Sequence, residues 1–419
     1  MSRRCLMILF VAGLLGGAAS SEEAWYKGVT HIHSIWSDGD DAPEMIAAWY
    51  VDHGYDFMAF SDHNVLQQGD RYFTLDEKGR MKPDRVEDIR KRFGDNWVQT
   101  REVDGVLQMR LKTHDELRAH FNKPGSFLML PAEEISSLSG GPHVNGVNLR
   151  EVIAPEAGER TALIQRYIDA VRTQSEKYGV PMIAHVNHVN FAEGVTAEEL
   201  IAVRGLEFFE VFNGHHGVYN WGNPEKGMPP TDTHWDIVQS LKMLEDPDYT
   251  LYGVATDDSH NYHDWRVGKA NPGRGWIMVK APELEATALI EAMKRGDFYA
   301  STGVALKRIE RSDTALALEI DPAPGVKYTT QFIGTRRGFD TASEAVTDDA
   351  GASLPRATRK YSEEIGSVLL ESTSLTPRYE FKGDELYVRA RILSDRPKEN
   401  PFAEGDFEMA WVQPVIVKR

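Results

Sequence analysis

Residues 30–39 read Thr30-His31-Ile32-His33-Ser34-Ile35-Trp36-Ser37-Asp38-Gly39, at the end of a strand-like run over 26–31. In an extended chain, residues two apart face the same side, so His31 and His33 can grip one ion together. A His-x-His pair alone is more often incidental. What decides its meaning is the company it keeps.

Short apolar strand candidates recur at 56–61, 127–130, 143–149, 181–185, 206–212, 251–255 and 276–279. Between them lie helical segments at 43–53, 161–178, 233–244 and 283–295, punctuated by Pro43, Gly54, Gly179, Pro247 and Gly296. This alternation from Trp25 to Gly303 predicts a parallel, barrel-like α/β core. The strand ends carry the unusual residues: Asp62-His63 closes the second, Glu133-Glu134 follows the third and His143 opens the fourth. His185 and His188 end the fifth, and Asp257-Asp258-Ser259-His260 ends the seventh. Packing alone favours apolar or small groups at such positions, whereas a barrel gathers its catalytic groups there. Their joint presence points to a metal site. Nitrogen and oxygen donors without sulfur suit Zn, Mn or Fe, and ions so held make hydroxide available near neutral pH and clamp developing charge.

An insert at about 65–126 is rich in charge and contains helix candidates at 84–92 and 114–122; its composition reads as a solvated excursion, with a substrate lid as the alternative. After Gly303 the pattern turns to half-buried strands at 315–320, 328–333, 367–371, 385–392 and 408–417, which predicts a small β-rich domain over 304–419.

The chain has 419 residues and 41% hydrophobic content, enough for a sizeable core. At its start, Arg3 and Arg4 precede an apolar run that ends in Ala18-Ala19-Ser20, the layout of an export signal over 1–20 cleaved near Ala19 to Ser21. That run is too short to span a bilayer, so the expectation is a periplasmic or extracellular protein without stable membrane insertion. Cys5, the single cysteine, lies inside this segment, which removes disulfides and thiolate ligands from the mature chain. A net charge of −17 disfavours nucleic-acid partners. Oligomeric state is not legible.

The ordered set His-x-His, Asp-His, Glu, His, His, Asp-x-His resembles the PHP (polymerase and histidinol phosphatase) family over residues 25–303. The resemblance implies a distorted (β/α)7 TIM-like barrel over 21–303 with metal ligands at His31, His33, Asp38, His63, Glu134, His143, His185, Asp258 and His260. It further implies two or three divalent ions (Zn, Mn or Fe), with Glu134 bridging two. One would be held by His31, His33, Glu134 and Asp258, the second by Glu134, His143 and His185, and the third by Asp38, His63 and His260. Glu134 is preferred to Glu133 because an apolar residue and a Ser follow it, and Asp258 to Asp257 by the Asp-x-His spacing. Asp257 and Asp62 then become candidates to orient the imidazoles.

Glu134, Asp258 and His188 are the expected catalytic residues, and Asn213, His215 and Arg274 the expected substrate contacts, with His216 as a neighbour. Segments 274–276 and 296–303, and the β-rich tail, also resemble the narrower branch of metallohydrolases similar to carbaryl hydrolase. The expected activity is hydrolysis of a small phosphate ester. Carbamate, amide or carboxylic ester cleavage at the same metals is the alternative, followed by a non-catalytic binding protein that kept the barrel.

Overall fold

The structure is a computed structural model that describes residues 23–192 and 194–418. The expected export signal over 1–20, with Cys5 inside it, lies outside the described residues. Among the described residues no helix is long and apolar enough to cross a membrane.

One sheet of thirteen strands organises the molecule. In chain order these are β1 (Ala24–Val29), β2 (Phe57–Phe60), β3 (Leu128–Ser136), β4 (His143–Val147), β5 (Ile183–Val186), β6 (Phe208–Asn213), β7 (Tyr252–Thr256), β8 (Trp276–Ala281), β9 (Phe298–Ser301), β10 (Tyr328–Arg336), β11 (Ser367–Ser372), β12 (Glu385–Pro397) and β13 (Phe407–Ile416). They lie side by side as β7-β6-β5-β4-β3-β2-β1-β8-β9-β13-β12-β10-β11. The pairs β1/β2, β2/β3, β5/β6 and β6/β7 are parallel, as the alternating pattern predicts. β8 departs from it, pairing antiparallel with β1, and so does β4, which runs antiparallel to both neighbours. For β4 the reason is chain length: only residues 137–142 connect β3 to β4, and a parallel crossover needs a dozen or more.

The sheet curls until the continuations of β7 and β1 meet. Ile32 bridges Ser259, His33 N donates to Ser259 O at 3.0 Å, and Asp258 N donates to His31 O at 2.9 Å. Among the described residues this seam is not a continuous strand pairing, so the sheet is not a fully hydrogen-bonded ring.

The helices are α1 (Pro43–Asp52), α2 (Arg85–Phe93), α3 (His114–Phe121), α4 (Arg160–Tyr178), α5 (Ala197–Ala202), α6 (Thr231–Lys242) and α7 (Ala286–Lys294). α4 starts where the Glu159 carboxylate accepts from Thr161 N and Ala162 N, and stops at Gly179, whose φ of 61° suits glycine. Its apolar face of Leu163, Ile164, Tyr167, Ile168 and Val171 packs with Val144, Val186 and Phe209. Each such fully buried aliphatic contributes about 1.5–3 kcal/mol.

The 65–126 insert is more than a solvated excursion. It forms a three-stranded sheet of Tyr72–Thr74, Thr100–Val103 and Val106–Arg110. Its Leu75, Met81, Val86, Ile89, Met109 and Leu111 enclose Ile35 and Trp36 in a core of their own. Arg80 Nη1 donates to Ser37 O and Gly39 O at 2.7 and 3.0 Å, so the insert fastens the turn that carries Asp38. Past Gly303 the expected strands form, and the main sheet continues into them through β9 and β13. Arg389 ties that region to α6, donating to Asp236 Oδ1 and Oδ2 at 2.8 and 2.6 Å.

Candidate metal centre

The curled sheet brings one rim of strand ends together. β1, β2 and β7 reach it with the residues just past their last turn of strand, which are His31 and His33, His63, and Asp258 and His260 respectively. β4 runs the other way and so reaches the same rim with its first residue, His143. On β3 the two-residue alternation separates the paired glutamates. Glu134 faces the histidines, whereas Glu133 Oε1 accepts from Ile153 N at 2.5 Å, and burial pushes its pKa up to about 8. Asp258 and His188 adopt φ of 47° and 24°, left-handed values unfavourable for side chains with a Cβ and commonest at functional sites.

Four donor atoms define the centre. His31 Nε2 lies 3.1 Å from His33 Nε2, 3.2 Å from Asp258 Oδ1 and 3.5 Å from Glu134 Oε2. His33 Nε2 lies 3.1 Å from Asp258 Oδ1 and 3.3 Å from Glu134 Oε2. His31, His33 and Glu134 offer atoms close enough together to share one cation, and Asp258 faces the same two imidazoles, a nitrogen and oxygen donor set of the kind that binds zinc. The donor set therefore fits a small divalent cation.

The other oxygen of Glu134 faces a second group. Glu134 Oε1 is 3.0 Å from His143 Nδ1, 3.1 Å from His188 Nε2 and 2.8 Å from the Asn187 amide that donates to it. On the open side, Asp38 Oδ1 is 3.4 Å from His33 Nδ1 and 3.3 Å from His260 Nε2, while Asp38 Oδ2 is 3.4 Å from His63 Nε2. The Asp38 side chain is 50% exposed, so this is where the cluster meets solvent.

Electrostatics favours cations. Among the described residues every ion-pair partner of Glu134, Asp258, Glu210 and Asp38 is a histidine, never a lysine or arginine. Burial opposes charge on His31, yet the carboxylates of Asp258, Glu210 and Glu134 raise its pKa well above the ordinary value. Burial likewise opposes charge on His63, and Glu134 and Asp38 still push it up to about 11. Glu134 and Asp258 move the other way: burial resists their charge, but the surrounding imidazoles hold both well below the usual carboxylate range. Several carboxylates buried together need compensating charge, which protons on the histidines or metal cations can supply.

Of the nine ligand positions expected from the sequence, eight converge here: His31, His33, Asp38, His63, Glu134, His143, Asp258 and His260. His185 is outside all of these groups. It is fully buried, with Nε2 3.2 Å from Thr30 Oγ1, and burial pushes its pKa down to about 4. His188, expected as a catalytic group, stands beside Glu134 instead, because β5 ends at Val186 and the chain turns sharply to bring the later histidine inward.

The expected substrate contacts change role. Arg274 is fully buried, its guanidinium donating to Gly214 O, Lys269 O, Arg266 O, Asn271 Oδ1 and Asn400 Oδ1. With both terminal nitrogens bound to loop acceptors, it braces those loops. Asn213 is also buried, donating to Glu210 Oε2 at 2.8 Å and Asp258 Oδ2 at 3.1 Å, so it positions carboxylates. Only His215 stays at the rim, its ring centroid 5.4 Å from that of His260; burial pushes its pKa down to about 3 and keeps it neutral. Among the described residues Asp62 and Asp257 hydrogen-bond to no imidazole. Asp62 accepts from Ser34, Ser37 and Gln67, and Asp257 from Tyr50 and the backbone of 273–275.

Sequence reasoning missed Glu210, Asn145 and Asn187. Glu210 Oε1 is 2.6 Å from His31 Nδ1, and its Oε2 accepts from His188 N at 2.7 Å. It fixes a proton on His31 Nδ1 and turns the Nε2 lone pair to the cluster. The signal was a single carboxylate in Phe208-Phe209-Glu210-Val211-Phe212, where a buried strand admits charge only with a partner. Asn145 joins the seam and the cluster, donating to Thr30 O at 3.0 Å and accepting from Asn187 at 2.8 Å.

No family model and no curated protein matches the chain. Among solved structures it is similar to a two-domain protein from Bacteroides vulgatus containing a predicted PHP-like metal-dependent phosphoesterase. That likeness is at 14% identity and TM-score 0.39, over 93% of this chain and 95% of the other. It is also similar to a protein of Bifidobacterium adolescentis named as a proposed metal-dependent phosphoesterase, at 11% identity and TM-score 0.30, over 58% of this chain and 89% of the other. Likenesses so remote bear on neither the chemistry nor the substrate of this chain.

Proposed function

We propose that the chain is an exported PHP-type hydrolase with a distorted (β/α)7 barrel, which uses two or three divalent cations (Zn, Mn or Fe) to cleave small phosphate esters. The observation that carries this reading is the buried pair His31 and His33, whose Nε2 atoms lie 3.1 Å apart and each 3.1–3.5 Å from Asp258 Oδ1 and Glu134 Oε2. Glu134 turns its other oxygen to His143 and His188, so one carboxylate is shared between neighbouring groups. Asp38, His63 and His260 form the solvent-facing set.

When bound, such cations supply an activated water near neutral pH and stabilise negative charge developing on a phosphoryl oxygen. The protein's own residues prepare the place. Glu210 keeps the His31 Nε2 lone pair free, Asn187 orients Glu134, and Asn213 orients Asp258. Neutral His215 at the rim can donate a hydrogen bond to a substrate oxygen. Export by the signal that residues 1–20 predict would place such an enzyme where it meets small esters outside the cytoplasm.

The test is metal analysis of the purified protein, followed by assay of aryl phosphate mono- and diesters, acetates and carbamates with Zn or Mn. The expected result is bound metal and phosphate release that Glu134→Gln abolishes. Turnover of carbamates or carboxylic esters with no phosphate release would replace the substrate class while keeping the centre.

A further inference from the structure

A cavity of about 630 Å³ opens between the end of α1, the loop after β7 and the connection from β12 to β13. That volume is within the range of about 300–1,000 Å³ usual for small-molecule sites. Lys27 of β1, Trp49, Tyr55, Trp265 and Trp276 line one side, and residues 396–400 with Glu408 complete the other. None of the histidines and carboxylates of the metal centre lines it. The walls are held in place by the chain itself: Asn400 Nδ2 donates to Pro272 O at 2.8 Å, and Lys398 Nζ to Thr302 O at 3.0 Å.

Aromatic rings dominate the first side. The centroids of Trp49 and Trp265 stand 5.7 Å apart, and those of Tyr55 and Trp276 6.4 Å apart. Trp265 is 45% exposed, so much of a large ring is bare. Unspent donors lie among these rings. The Lys27 ammonium and the indole N–H groups of Trp49 and Trp276 donate no hydrogen bond among the described residues, and all three keep contact with solvent, since none is among the sealed, unpaired atoms. Charge on the walls comes close to balance: Lys27, Arg396 and Lys398 face Glu399 and Glu408. Arg396 and Glu408 are 3.5 Å apart, and burial pushes the Lys398 pKa down to about 7.

These walls exclude most classes of ligand. A cation finds the aromatic seat taken, because the Lys27 ammonium already lies 3.9 Å from the centre of the Tyr55 ring and 4.3 Å from that of Trp276. A multiply charged anion gains little from walls whose charges nearly cancel. A wholly apolar molecule would strip water from three donors and pair none of them. A neutral molecule with C–H faces for the electron-rich rings and oxygens for the donors meets every requirement. We infer that the cavity binds a saccharide, with one face of a pyranose ring against Trp265 and its hydroxyls accepting from Lys27, Trp49 and Trp276 and donating to Glu399. The inference does not rest on the hydrolase reading.

The test is saturation-transfer NMR on the metal-loaded protein with the methyl glycosides of glucose, galactose, mannose and N-acetylglucosamine, with benzoate and choline run beside them. The expected result is saturable transfer to the ring C–H protons of at least one glycoside. Trp265→Ala is expected to weaken its binding by about tenfold, the worth of one good aromatic contact. Lys27→Met, which keeps the apolar stem and removes the ammonium, is expected to weaken it by about tenfold or more. Absence of transfer to any of the glycosides overturns the site. Transfer that survives both substitutions also overturns it, by putting the sugar elsewhere. Benzoate or choline binding that Trp265→Ala abolishes, with no glycoside bound, overturns the saccharide assignment.

Discussion

Replacing Glu210 with Gln tests whether a residue that touches no substrate sets the affinity of the centre. Glu210 accepts on both sides: Oε2 takes His188 N and Asn213 Nδ2 at 2.7 and 2.8 Å, and Oε1 takes the His31 ring at 2.6 Å. A glutamine has one acceptor where two are needed. If its oxygen stays toward His188 and Asn213, its NH₂ confronts His31 Nδ1 and drives the proton to Nε2, among the lone pairs of His33, Glu134 and Asp258. If it flips, the NH₂ opposes two donors in a fully buried place. Either way an ion held at His31 and His33 loses affinity, by about 10–100-fold for a partner of this kind, or roughly 1.4–2.7 kcal/mol. Competition with a calibrated chelator, read by metal content and by recovery of activity on adding metal back, measures it. Wild-type affinity in Glu210→Gln, with the fold intact by circular dichroism, would refute the claim that Glu210 governs the His31 tautomer.

His188→Ala should lose bound metal, whereas His185→Ala should keep its metal and lose stability; the opposite pattern in metal analysis would restore the ligand set implied by the sequence. Glu134→Ala should release more metal per chain than His63→Ala, and equal losses would show that Glu134 does not bridge. Arg274→Met should destabilise the fold by roughly 2–4 kcal/mol in denaturant melts because several buried carbonyls lose their donor, with KM for an aryl phosphate unchanged; a raised KM at wild-type stability would return Arg274 to substrate binding. His234 is buried beside Thr358 Oγ1 at 3.0 Å, and burial pushes its pKa down to about 4. A depressed histidine stabilises the fold above its unfolded pKa, and that contribution is lost as pH falls from about 6.5 through 4, reaching roughly 3 kcal/mol at pH 4. Denaturant midpoints between pH 7 and 4 should fall more steeply in wild type than in His234→Gln, and parallel curves would contradict this.

The residues legible in the sequence were those whose place follows from local periodicity. Most strand ends lie within a few residues of where alternation puts them, so a donor tied to an end, such as His31, His63 or Asp258, came with its strand. Glu134 was preferred to Glu133 on the Ile135-Ser136 that follows it, whereas the strand that turns the two carboxylates to opposite faces runs on to Ser136, past the end the pattern predicts. The misses share a different cause. The antiparallel run of β4 is dictated by the length of a connection, and the choice between His185 and His188 by where β5 stops and how the chain then turns, with φ of 24° at His188. Neither is a pattern in residue type. Arg274 was misread because a cationic side chain near a rim looks the same in sequence whether it faces substrate or five loop acceptors. Glu210 shows the converse: a carboxylate among phenylalanines must be paired, which makes its importance readable, but its partner His31 lies 179 positions away and is joined only by the curl of the sheet. The donors were therefore visible one at a time, while their order around the cluster is a property of the curl that brings the continuations of β1 and β7 together.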